Sequence, residues 1–81
     1  MYNIVGIENK KGEYEGHAYE HLILYTLSQR KSVVGQAADS FRFSLNRLSP
    51  DVRSSLLSLK VGDKIADVFY DKYHKPCGFI K

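Results

Sequence analysis

Tryptophan is absent from the 81 residues, proline occurs twice and cysteine once. A lone Cys77 cannot close an intramolecular disulfide, and a secreted chain this short normally depends on several such bridges. A reducing interior is therefore the expected setting, with Cys77, in an apolar terminal run, filling the place of a small buried hydrophobe. No apolar run approaches the roughly 20 residues needed to span a bilayer. Met1-Tyr2-Asn3-Ile4-Val5 lacks the basic region and apolar stretch of a secretory signal. The expectation is a cytoplasmic protein with no membrane association. Also missing are a glycine-rich phosphate loop, a nucleophile elbow and acids paired at a recognisable spacing, so no catalytic residue is assigned and an enzyme is not expected.

What remains is ordinary globular material. Hydrophobic residues make up 43% and charged residues 26%, too apolar for a disordered chain, and the length allows one domain over residues 1 to 81. Six Tyr, four Phe and the Val and Ile residues favour strand, because they suit a pleated, half-buried surface. The formal charge of +3 is slight, but it is unevenly spread. Residues 1 to 27 carry −2, residues 28 to 64 carry +4 and residues 65 to 81 carry +1. The basic middle bears on binding rather than on folding.

Along the chain, residues 2 to 7 read as a first strand, followed by a polar turn from Glu8 to Glu13 that contains Asn9 and Gly12. From Tyr14 or His17 to about Leu27 lies a long strand with Leu22 and Leu24 on one face and Ile23 and Tyr25 on the other; a helix competes, because Ala18, Leu22 and Tyr25 also fit a 3.6 period. Residues 37 to 45 alternate cleanly, with Phe41 and Phe43 set between Ser40, Arg42 and Ser44. Ser49-Pro50-Asp51 opens a helix: a capping hydroxyl, a proline where its missing N–H does no harm, and an acid near the positive end. Val52, Leu56 and Leu59 give that helix one apolar face, and its end is expected near Lys60. A fourth strand over residues 65 to 70 sets Ile65, Asp67 and Phe69 against Ala66, Val68 and Tyr70. A turn at residues 71 to 75 leads to a final edge strand begun by Pro76. The expected core is Leu22, Leu24, Phe41, Phe43 and Phe69.

The fold class is thus mostly β, with one helix between the third and fourth of five strands. That is the layout of an OB-like small barrel. Open α+β sheets can use the same order.

No metal or cofactor is assigned. His17 and His21 share a helical face only if the segment is a helix; on a strand they stand roughly 13 Å apart at about 3.4 Å per residue. His74 and Cys77 lack a second pair of ligands. Cations beside aromatic faces are the more informative pattern, because proteins that hold single strands use cations for phosphates and rings for bases. On this reading Arg30, Lys31, Arg42, Arg47 and Lys72 are candidate phosphate contacts, and Tyr19, Tyr25 and Tyr73 candidate stacking faces. The alternative for each tyrosine is to cover a core edge with its hydroxyl in water.

The opening Tyr2-Asn3-Ile4-Val5-Gly6, Gly16 before the long strand, and Val34-Gly35-Gln36 leading to Ser40-Phe41-Arg42-Phe43-Ser44 form part of a larger pattern. It continues with Leu59-Lys60-Val61-Gly62-Asp63-Lys64-Ile65 and Tyr70-Asp71-Lys72-Tyr73-His74-Lys75. Over nearly the whole chain this resembles small proteins of Gram-positive mobile elements and phages that are similar to the filamentous-phage single-stranded-DNA-binding proteins. The resemblance implies an OB-fold, a homodimer, and single-stranded nucleic acid, DNA above all, as the partner in replication, with little sequence preference. In one place the chain departs from that group: His74 stands where the final turn tends to carry glycine. A protein-interaction module of a replication or transfer system is the alternative function, with the tyrosines as interface anchors.

Overall fold

The computed structural model describes all residues, 1–81. Its dominant feature is a long antiparallel hairpin of β1 (Tyr2–Tyr14) and β2 (His17–Ser28). The turn expected at residues 8 to 13 is part of β1, and the chain reverses instead at Glu15-Gly16, where φ is 50° and 79°. Two consecutive positive φ values produce the tight reversal whose twist matches the flanking strands. The distal arm lacks hydrophobic alternation because it is largely solvated, so polarity there does not signal a loop. Cross-strand contacts hold it: Lys11 pairs with Glu20 at 3.6 Å, and the Asn9 amide donates to the same carboxylate at 3.1 Å.

Strand β3 (Ala37–Ser44) pairs with β2 in the register Leu22↔Phe43 and Leu24↔Phe41, so these four side chains fall on one face. In β1 the register shifts between Ile4 and Gly6, and this bulge lets both Ile4 and Ile7 turn inward although they are an odd three positions apart. A 3-10 turn (Leu45–Arg47) leads to α1 (Pro50–Leu57), whose N-terminal N–H of Val52 is accepted by the Ser49 hydroxyl at 3.4 Å. The helix ends at Leu57 with Ser58 as its cap, three residues short of the expected end, and Leu59 still reaches the core from beyond it. There the Asp63 carboxylate accepts the Lys60 N–H at 2.9 Å, and Gly62 takes φ 100°.

The run expected as one strand is divided. β4 (Lys64–Ile65) pairs with β1, and β5 (Asp67–Tyr70) pairs with β6 (Pro76–Ile80). Six strand segments therefore stand where five were expected. At the intervening bend the Ala66 N–H donates to the Ile80 carbonyl at 2.6 Å, and the bend resets the facing. Ile65 and Val68 both point inward, while Phe69, expected in the core, is 45% exposed and its place is taken by Val68 at 6%.

The sheet order β3-β2-β1-β4 curls antiparallel into a half-barrel, with the β5–β6 hairpin beside it. Phe43 of β3 and Phe79 of β6 meet edge to face at 6.5 Å, but no ladder joins those two strands. Inside the curl Ile4, Leu22, Leu24, Phe41 and Phe43 form one buried cluster with Leu45, Leu56, Leu59, Ile65 and Val68. No helix is long and apolar enough to cross a membrane.

Candidate nucleic-acid interface

The face of β1–β2–β3 turned away from the core is built by the opposite parity. On β2 it carries Tyr19, His21, Ile23 and Tyr25; register places Gly12, Lys10, Glu8 and Gly6 beside them on β1 and Ser44, Arg42 and Ser40 on β3. Two tyrosines lie across glycines. The Tyr25 ring packs beside Gly6, and the Tyr19 phenol occupies the space a side chain at Gly12 would need. Each ring thus rests against backbone with much of its surface in water, at 40% and 41% exposure. Gly12 is the seat of an aromatic side chain and not a strand breaker.

Tyr25 donates its hydroxyl to Glu8 at 2.7 Å. That hydrogen bond, followed by desolvation and the Glu8 charge, holds its phenol above the usual range, so it remains a donor at neutral pH.

Between this face and the β5–β6 turn runs a groove of about 530 Å³. Its floor and near wall are Tyr19, His21, Arg42 and Ser44; Asn46 and Arg47 come from the 3-10 turn, and Asp71, His74, Lys75 and Cys77 form the far wall. Local bonds fix these walls. The Asn46 amide donates to the Ala18 carbonyl at 3.0 Å, tying the 3-10 turn to β2, and the Arg53 guanidinium grips the Leu45 carbonyl at 2.6 and 3.1 Å. Across the groove Asp71 Oδ1 accepts the N–H groups of Tyr73 at 2.8 Å and Lys75 at 3.0 Å. The Lys75 N–H is the main reason the Asp71 carboxyl lies below its usual range, helped by the Tyr73 N–H and by the charges of Lys75 and Arg47. His74 takes φ 60° in this turn, the left-handed conformation for which glycine is the easier residue.

The charge balance of the groove is positive: Arg42, Arg47 and Lys75 face one carboxylate, Asp71, which already serves two backbone donors. Three of the eight residues expected from sequence, Tyr19, Arg42 and Arg47, meet here. Tyr25 shares the same face further along β2. The others lie elsewhere. Arg30 pairs with Asp39 at 2.6 Å, at a β3 position of the inward parity and near the opposite end of the β2–β3 pair. Lys31 is in the exposed connection beyond it. Lys72 lies over the ring of Tyr73, 5.1 Å from its centroid, at the exposed β5–β6 turn, and neither lines the groove.

The groove also gathers residues outside those eight, His21 and Lys75 among them. His21 shares the odd parity of Tyr19 and Tyr25, which would have found it; Lys75 joins them only because the last hairpin folds back. Cys77, expected to be buried, is exposed and lines the groove. No protein-family model matches the chain, and no curated protein or solved structure matches it.

Proposed function

We propose that the protein is a non-catalytic single-stranded nucleic-acid-binding protein with little sequence preference, built on an OB-like barrel. The observation that carries this reading is the groove in which Arg42, Arg47 and Lys75 border the exposed ring of Tyr19. Cations along a groove suit phosphates, and an aromatic face held against a sheet suits a base. Stacking accepts any base, which is why little sequence preference follows. DNA as the strand, a homodimer as the acting form and a replication role inside the cell are proposed on the sequence resemblance to the phage and mobile-element proteins alone. Of the eight residues expected from sequence, Tyr19, Arg42 and Arg47 are the principal contacts in this reading and Tyr25 extends the surface. Arg30, Lys31, Lys72 and Tyr73 contribute at most outlying charge or stacking.

A second reading, a protein-interaction module, draws on a different surface. Phe69 and Ile80 share the outer face of the β5–β6 hairpin and are both exposed. The two readings part in one titration. Anisotropy of labelled oligothymidine is measured against protein at about 50 and 200 mM salt, where phosphate-driven binding weakens steeply. Micromolar or tighter binding that weakens with salt supports the groove; absence of binding at the lower salt moves the function to a protein partner.

A further inference from the structure

His21 occupies the groove floor with its ring against Tyr19, centroids 5.3 Å apart. Its Nδ1 is shut off from solvent and has no hydrogen-bond partner, an uncommon and costly state for a polar atom. Charges from three other elements act on it: Lys10 of β1, Arg42 of β3 and Lys75 of the β5–β6 turn, all positive. Further groove groups are Arg47 from the 3-10 turn, Asp71 and His74 from the last turn, Cys77 from β6, and the Tyr19 phenol from its own strand. Burial first, and then Arg42, Lys75 and Lys10, hold the imidazole below its ordinary value of about 6.5. In the free protein it is therefore neutral at neutral pH.

The imidazole lines one groove with Arg42, Arg47 and Lys75, and an anion bound among those cations offsets the repulsion that disfavours its protonation. We propose that binding of a phosphodiester in the groove is linked to uptake of a proton by His21, which then adds a cationic contact to those of Arg42, Arg47 and Lys75. This rests on the nucleic-acid reading above and makes affinity rise as the pH falls. The sign follows from linkage: an anion among these cations raises the imidazole's bound value above its free one, so binding tightens as the pH drops through the bound value and levels off below the free one. The free fold behaves oppositely. Its imidazole lies below the unfolded value, so the unfolded chain holds more protons in that interval and stability is lost as the pH falls through it.

The test is anisotropy with rhodamine-labelled oligothymidine between about pH 5.5 and 8 at constant ionic strength. It uses the wild type, His21→Gln, and His74→Asn as a control whose side chain accepts the positive φ. Wild-type affinity should climb toward about tenfold per unit fall in pH, the limit for one proton; His21→Gln should be flat, and His74→Asn should keep the slope. A flat wild-type profile, or an unchanged slope in His21→Gln, overturns the inference while leaving the groove reading intact. Absence of binding at every pH removes both. Should His21→Gln not fold, calorimetry of the wild type in buffers of different ionisation enthalpy counts the proton directly, and zero uptake contradicts the proposal.

Discussion

The two faces of β1–β2–β3 are made from the same strands and follow opposite rules. Inward, Leu22, Leu24, Phe41 and Phe43 are buried together, and burial of side chains of this size supplies most of the stability of a domain so small. Outward, the strands carry glycines capped by tyrosines, a half-buried histidine, and cations without acidic partners of their own. Ile23 alone is buried on that side, flanked in register by Glu8 and Arg42. One face therefore carries most of the core, while the other, Ile23 apart, is polar and aromatic. Substitutions should separate the two.

The largest effect is expected inward. Phe43→Ala should cost about 3–5 kcal/mol in urea unfolding, because its ring is wholly buried between β2, β6 and the helix layer. A loss under about 1 kcal/mol would contradict the burial of Phe43 at the centre of the core. Next comes Arg42→Ala on the outer face. It should lower oligothymidine affinity about tenfold at low salt and reduce the salt slope by about one, with the thermal midpoint nearly unchanged; unchanged affinity and slope would remove Arg42 from the site.

Gly12→Ala sharpens the comparison, since the new methyl meets the Tyr19 phenol, the far end of a movable side chain. Displacing that ring should weaken oligonucleotide binding by about threefold to tenfold, the lower range for one stacking contact, and leave unfolding almost as before. If stability falls and affinity does not, Tyr19 serves the fold. Smallest is Ser28→Ala on the inward side, where the buried hydroxyl has no hydrogen-bond partner. Urea unfolding should show stability unchanged or raised by up to about 1 kcal/mol, and a clear loss would reveal a partner for that oxygen.

What could be read from sequence was what nearby residues decide. Phe41 and Phe43 alternate with polar neighbours and their strand is in place, and Ser49-Pro50-Asp51 starts the helix at Pro50. Distant contacts defeated the rest. Glu8 to Glu13 looks like a turn because both faces of that arm meet water, and Gly12 makes sense only once Tyr19 lies across it. The facing of residues 65 to 70 is set by a bend at Ala66 whose N–H is held by Ile80, fourteen positions away, so strict alternation sent Phe69 inward when Val68 belongs there. The same limit applies to the site. Parity on β2 joins Tyr19 to Tyr25, but only the return of the last hairpin brings Lys75 opposite Arg42 and leaves Lys72 outside.

In the proposed function a single strand lies along the outward face, in the groove between β2–β3 and the β5–β6 turn. Titrating isotopically labelled protein with oligothymidine and following each backbone amide by NMR tests it most directly. The shifts should gather at Tyr19, His21, Arg42, Ser44, Arg47 and Lys75 and fade toward Arg30 and Lys31. Shifts confined to the 29–36 connection or to the Phe69 and Ile80 face, with the groove silent, would contradict it.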